Sequence, residues 1–407
     1  MKVAINGIGV AGPTLAYWLR KFGHDPVLFE EWAVVRTGGY LIDFWGLGYE
    51  IAQRMNLIAT LRERCYEMER LRMIARDGRK QADVDLAPMR DALRGRFISV
   101  ARADLAAALL GSCSGIPAHF GLSITAIEQD AAGCTATLSD GRQERYDLVV
   151  GADGLHSQLR ALVFGPEADF EQFLNCHIAA FRVRGYPHRD ELTYVSHTVA
   201  RRHASRVSLR DDETLVLFVC RAELASGNVP RDRESRKAIV REAFDGMGWE
   251  VPELLDSMDA ADDIYFDRVS QIWLPRWTTG RVALLGDAAA SPSLLAGEGA
   301  GLAMLEAYVL AGELHRANGD FALAFAAFEG RLRDFVAAKQ RSALWFRGFF
   351  APDTAIGLAV RNLVVHALAL PFIARPMLAR SFHDDFELPE YDTCFTFQKS
   401  TDRKALH

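Results

Sequence analysis

Gly7, Gly9 and Gly12 are spaced so that each glycine has its own use around a phosphate. Gly7 permits a tight turn, Gly9 lets a pyrophosphate approach the backbone, and Gly12 allows a helix to pack close to a sheet. Ala11 stands in the same turn. Glu30, about 20 residues on, carries a carboxylate that can accept hydrogen bonds from ribose hydroxyls. Residues of these types at this spacing serve dinucleotide binding. Glycines also mark ordinary turns, so the reading depends on the elements around them.

Those elements are present. Residues 2–6 form a short apolar run of the buried-strand type. Leu15, Ala16 and Leu19 then follow a helical spacing that stops near Gly23, and residues 26–29 read as a second strand ending at Glu30. A helix that starts between two strands offers unpaired N–H groups and the positive end of its dipole to phosphates. Strand, turn, helix, strand and acid together make a full dinucleotide-binding unit.

Length and charge bound the rest. The 407 residues are too many for one simple core. A net charge of -6 argues against nucleic acid as a partner. Arg201-Arg202-His203 is a small basic cluster and reads as a solvated turn. The six cysteines (Cys65, Cys113, Cys134, Cys176, Cys220 and Cys394) are scattered without a CxxC. That pattern fits reduced thiols in a cytoplasmic protein, not a disulfide frame or a metal site. The first residues lack the charged–apolar–small pattern of a secretory signal. Residues 355–374 are apolar, but Arg361, Asn362 and His366 interrupt them and Pro371 breaks them. A buried or interdomain helix is expected there, with a helix lying on a membrane surface as the lesser alternative and no membrane span.

Along the chain, residues 36–46 are glycine-rich and aromatic, as in a loop and short strand. Residues 49–64 read as one helix, and 71–86 as two strands around the turn signal Asp77-Gly78. A short strand over 97–100 leads to a helix over 102–110, and 117–150 hold several strands. Alternating runs over 179–183, 206–209 and 214–220 suggest an antiparallel sheet, with one helix between 232 and 247. A buried strand returns before Gly286-Asp287, and long helices follow.

Three motifs in this order resemble the FAD-dependent aromatic hydroxylases of the para-hydroxybenzoate hydroxylase type. They are Gly7-x-Gly9-x-x-Gly12 with Glu30, the run Asp147 to Arg160 containing Asp153-Gly154 and Ser157, and the run Gly280 to Ala289 containing Gly286-Asp287. They cover about residues 1–165 and 270–315. Within that group the chain looks most like tetracycline-degrading and antibiotic-tailoring monooxygenases. The resemblance implies an α/β fold with a Rossmann-like FAD-binding domain built from residues 1–70, 97–165 and 273–318. Strands in 71–96 would join an inserted antiparallel substrate sheet over 166–272, and 319–407 would be a C-terminal helical region.

Roles follow from the same resemblance. The glycines would cradle the FAD pyrophosphate, Glu30 would hold the adenosine ribose, and Arg102 would contact FAD. Asp153 lies in a motif linked to both FAD and NADPH, and Asp287 would bind the ribityl or pyrophosphate region. The loop over 292–301, with Gly297, Gly299 and Ala300, would pass beside the flavin ring. Arg36 and Asp43 lie where relatives contact nicotinamide or flavin. Glu31, Ala290, Ser291-Pro292, Gly301 and Glu306 depart from the family pattern.

The implied activity is that of a monooxygenase. NADPH or NADH, bound transiently, reduces FAD. O2 then reacts through a flavin C4a-hydroperoxide to hydroxylate an aromatic or polycyclic small molecule. No catalytic base stands out: His197 and Tyr194 are candidates, and a hydrogen-bonded structural histidine is the commoner case. Tyr40, Phe44, Trp45, Phe181 and Phe218 could line an aromatic pocket or pack a core. A Baeyer–Villiger or epoxidising enzyme of the same fold is the nearest alternative, and a non-catalytic binding protein is the second. Monomer and dimer both stay open at this point.

Overall fold

The computed structural model describes residues 1–35, 40–187, 189–225, 229–230, 232–368 and 384–391. Arg36, Pro371 and Cys394 lie outside the described residues.

The N-terminal strand Lys2–Asn6 is buried over its last four residues. It lies at the middle of a six-stranded sheet, parallel to Asp25–Glu30 on one side and to Leu148–Gly151 on the other. Leu148–Gly151 is in turn parallel to Val282–Leu284. The three sequence motifs therefore end on adjacent parallel strands. Strands buried on both faces must be apolar throughout, which is why all three read as continuous apolar runs.

Helix Ala11–Lys21 covers one face and packs on the long helix Gly299–Arg316. That second helix is buried from Leu302 to Leu314, so it is apolar nearly all round, as a central helix must be. Tyr391, from the last part of the chain, sits so close to it that a Cβ on Gly312 would lie 2.1 Å from the tyrosine ring.

The second layer is a seven-stranded sheet. Its order runs from Ile264–Ile272 through Glu171–Arg184, Glu213–Arg221, Arg202–Ser208 and Thr193–Val199 to Arg70–Ile74 and Lys80–Asp85. The hairpin Arg70–Ile74 and Lys80–Asp85 thus belongs to this sheet, although it comes from the first part of the chain. The sheet is not wholly antiparallel as the alternating runs suggest, because Arg70–Ile74 pairs with Thr193–Val199 in parallel. A strand that arrives from a distant part of the chain is free of the hairpin geometry that imposes antiparallel pairing.

Three local expectations change. The helix Ala355–Leu368 is not a buried one: only Arg361 and Val365 are buried, while Ile356, Val360 and Leu363 are exposed. The helix expected over 49–64 is two helices, Gly46–Arg54 and Ile58–Arg64, because Asn56 takes a left-handed φ of 59° between them. Arg201-Arg202-His203 is only partly a solvated turn. Arg201 is exposed at the turn, while His203 is 3% exposed inside a strand. Among the described residues no helix is long and apolar enough to cross a membrane.

Candidate functional site

The phosphate-type loop is built as its glycines require, with one difference in what they avoid. Gly7 has φ +116°, and a Cβ there would lie 2.3 Å from the Ala152 carbonyl oxygen on the neighbouring strand end. A Cβ on Gly12 would lie 2.0 Å from the Gly7 carbonyl oxygen. Both glycines are therefore needed for backbone-to-backbone packing. Gly9 is different: the nearest atom to its Cβ position is Nη2 of Arg102, 3.9 Å away. The space above Gly9 is open and faces a cation. Ala11 begins the helix, and Val10 before it gives no side-chain cap, so the first N–H groups stay available for an anion.

Glu30 reaches back over this loop. Its Oε2 accepts from the Ile8 N–H at 2.8 Å, and Oε1 accepts from the Trp32 N–H at 3.2 Å. A carboxylate has about four acceptor positions, so capacity remains for hydroxyl donors.

Arg102 starts helix Arg102–Gly111, and its side chain makes no hydrogen bond or ion pair among the described residues. Its charge acts on both Tyr40 and Asp287. Asp287 opens the short helix Asp287–Ala290 and accepts from the Ser291 hydroxyl. Burial pushes its carboxyl above the usual range, and Arg102 pulls the other way. A Cβ on Gly299 would stand 3.6 Å from Asp287 Oδ1, so the loop backbone lies against this acid. Gly297 has φ +70° and faces the Trp45 ring, and Ala300 sits in the first turn of the long helix. Gly9, Arg102, Asp287, Gly297 and Gly299, far apart in the chain, are thus brought to one cleft. An open backbone cradle, an uncapped helix start and a cation without a hydrogen bond or ion pair among the described residues are what a flavin dinucleotide would require, so the residues fit FAD.

Asp153 takes a different place. Its carboxylate accepts from Asn6 Nδ2 at 3.1 Å, from Ser157 Oγ at 2.5 Å and from the Leu159 N–H at 3.0 Å. It ties the end of the first strand to the start of helix Gln158–Val163. Arg160, fully buried, continues the clamp through Nη1 to the Ala288 carbonyl at 3.1 Å and Nη2 to Glu167 at 2.7 Å. The second motif therefore fastens the first to the third, a function its residue types alone do not reveal.

Glu306, one of the departures from the family pattern, lies beneath Asp287. It is fully buried, its Oε2 accepts from the Gly286 N–H at 2.6 Å, and its Oε1 has no partner among the described residues. Burial, with the nearby charge of Asp287, raises its carboxyl to about 8. The folded state then holds a proton up to about pH 8 that the unfolded chain releases near 4.5, so this group's contribution to stability falls as pH rises through that window. Glu306→Gln mimics the neutral acid and should keep FAD at pH 7. It should also lose less stability than the wild type between pH 5 and 8 in denaturant titrations. Equal pH dependence in the two proteins would rule out a protonated Glu306.

The seven-stranded sheet closes the other side. Asp43, on strand Leu41–Trp45, accepts from Ser99 Oγ at 2.5 Å and from Tyr194 OH at 2.7 Å. Burial raises its carboxyl, and these two donors oppose the rise. Tyr40 and Tyr265 stand with ring centroids 6.1 Å apart, and Tyr265 donates to Asp267 at 3.2 Å. His156 joins Asp267 at 3.1 Å to Glu167 at 3.0 Å, and its hydrogen bonds to these two acids raise it to about 10.

Of the two histidine and tyrosine candidates, only Tyr194 reaches the cleft. His197 points to the opposite face, where Nδ1 meets the Ile74 carbonyl at 2.8 Å and Trp249 is its ring neighbour. Phe181 and Phe218 pack with Phe244 and Val240 in that far core. Phe44 is core as well, whereas Tyr40 and Trp45 border the cleft. Tyr265 and Asp267 were not singled out from the sequence; the period-two spacing that puts both on one face of their strand is the signal that could have found them.

The FAD binding domain family model matches residues 1–319. A flavin-dependent monooxygenase from an unknown prokaryotic organism is 32% identical over 400 residues, covering 96% of this chain and 99% of the relative. A flavin-dependent monooxygenase of Legionella longbeachae is 34% identical over 85% of this chain and 88% of its own length. The crystal structure of tetracycline destructase Tet(55) superposes with a TM-score of 0.81 at 32% identity, covering 96% of this chain and 98% of that one.

Proposed function

The chain belongs to the FAD-binding-domain family of flavin-dependent monooxygenases, and from that premise we propose that it uses NAD(P)H and O2 to oxygenate an aromatic or polycyclic small molecule. The observation that carries this reading is the meeting of Gly9, Arg102, Asp287 and Gly299 at a cleft whose other wall is a sheet face bearing Tyr194 and Tyr265. FAD, when bound, supplies the redox chemistry, taking electrons from a reduced nicotinamide and delivering oxygen to the substrate.

The protein's own residues do the rest. The loop at Gly9 and the helix start at Ala11 hold the pyrophosphate, with Arg102 beside it as counter-charge. Asp287 fixes the chain of the cofactor nearest the ring, and Glu30 takes the ribose hydroxyls. Gly297 and Gly299 bear no side chains that would keep a flat ring away, and the Glu298 side chain between them pairs with Lys339. Tyr40, Tyr265 and Trp45 give the substrate an apolar, water-poor wall, which oxygen transfer requires. The likeness to a tetracycline destructase supports a polycyclic, antibiotic-like substrate. A cytoplasmic setting, with its supply of NADPH, suits this reading.

The test is NADPH consumption by FAD-loaded protein over a panel of phenols and tetracyclines, with products read by mass spectrometry. At least one compound should accelerate NADPH oxidation and gain one oxygen atom. Peroxide as the sole oxygen product with every compound would sink the monooxygenase reading.

A further inference from the structure

Arg182 lies on strand Glu171–Arg184, directly opposite Leu215, which in turn pairs with Val207. Cross-strand partners share a face. Leu215 and Val207 pack with Tyr40, Leu41 and Tyr194, so this is the face turned toward the cleft. Two residues before Arg182, Ala180 pairs with Tyr265 on the same face. Arg182 therefore stands among the side chains that wall the proposed substrate space.

Its hydrogen bonding is incomplete in a specific way. Nη1 faces Glu213 Oε2 at 3.5 Å, and Glu213 is shared with the exposed Arg184. Nε and Nη2 are both buried and have no partner among the described residues. Those two nitrogens form one edge of the planar guanidinium, the edge that grips two coplanar oxygens at once. Leaving charged donors buried and unbonded is costly, so a partner is expected to come from outside the chain. Arg206 on this sheet is held by Asp190 and Glu250. Arg221 also has a buried Nε and Nη2 without a hydrogen bond, but the Asp353 carboxylate stands 2.7 Å from its Nη2, whereas no acid faces that edge of Arg182 among the described residues.

We propose that Arg182 anchors the substrate, and that the substrate carries a planar pair of oxygens sharing a negative charge, as in a carboxylate or the enolate of a β-diketone. The proposal rests on the monooxygenase reading for the identity of the cleft and narrows its substrate class. It makes Arg182 a specificity determinant: a ring lacking the oxygen pair leaves the guanidinium edge buried and unmatched, and is rejected for that reason.

The test is calorimetric titration of the FAD-loaded protein with 2-naphthoate, with its neutral isostere 2-naphthamide, and with 2-acetylcyclohexane-1,3-dione as the keto-enolate. Wild type should bind at least one of the two oxyanions about tenfold or more tightly than the amide, as loss of one charged hydrogen bond implies. Arg182→Gln should lose that preference while keeping its FAD content and its thermal midpoint. Arg182→Lys, with the charge but without the fork, should recover only part of it. The two oxyanion arms separate carboxylate from enolate recognition. A wild type without preference, or a preference that survives intact in Arg182→Gln, overturns the anchor. Full recovery in Arg182→Lys overturns the two-point grip. Protein that holds no FAD overturns the flavin reading instead, and because heat rather than flavin colour is measured, the Arg182 result can still be read.

Discussion

Gly12→Ala should leave little folded protein. A Cβ at this position would lie 2.0 Å from the Gly7 carbonyl oxygen, 3.2 Å from its carbon and 3.4 Å from Ile5 Cγ2. The first two atoms are backbone in the turn that follows the first strand, so no side chain can swing away to relieve the contact. Relief would require helix Ala11–Lys21 to lift from the sheet, and that helix is wedged against Gly299–Arg316. Overpacking of this kind costs about 1–3 kcal/mol when neighbours can adjust and more when they cannot. Against a total stability of about 5–15 kcal/mol, a loss above about 3 is expected to lower expression and shift the denaturant midpoint strongly. Gly111→Ala is the control, since nothing stands within 4 Å of its Cβ position and its φ is not left-handed. It should be neutral or slightly stabilising. A Gly12→Ala protein that unfolds at the wild-type urea concentration would refute the close approach.

Asp287→Ala should fold and lose FAD. The side chain is not part of the core packing. It stands at the cleft with Arg102 and the Gly299 backbone as neighbours, and it makes one local bond to Ser291. Removing an ionised hydrogen-bonding partner costs about 1.5–3 kcal/mol, or about 10- to 100-fold in cofactor affinity. The removed acid also leaves the Arg102 charge uncompensated beside the cofactor site. Asp287→Asn, which keeps the shape and an acceptor oxygen, should retain more FAD than the alanine variant. The check is the flavin-to-protein absorbance ratio after purification, followed by FAD titration into the stripped protein. Full occupancy in Asp287→Ala would end the role given to this residue.

What the sequence determined by itself is local. The spacing of Gly7, Gly9 and Gly12, the apolar runs before and after them, and Glu30 at the second strand's end all depend on neighbours within one strand–helix–strand unit. Backbone sterics and hydrogen bonding act over the same short distance, so residue type and spacing suffice to read them. The turn at Asp77-Gly78 was legible for the same reason, since a left-handed Gly78 with φ 84° is a property of the turn alone.

What tertiary structure decided is which distant segments face each other. Nothing in Arg70–Ile74 says that it will pair in parallel with Thr193–Val199, because that choice depends on how two remote parts of the chain pack. Asp153 has the residue type of a ligand-binding acid, yet the fold commits three of its acceptor positions to Asn6, Ser157 and Leu159. His197 and Tyr194 stand three residues apart in one strand and go to opposite faces, one into the far core and the other to Asp43. Arg182 is one of 47 basic residues in the sequence, and none of its neighbours in the chain marks it out. What marks it is the combination of an unbonded, buried Nε and Nη2 with a place on the cleft-facing side of the sheet, and strand register sets both. Chemistry that depends on what a charge lacks, rather than on what its residue type is, can be read only after the chain has folded.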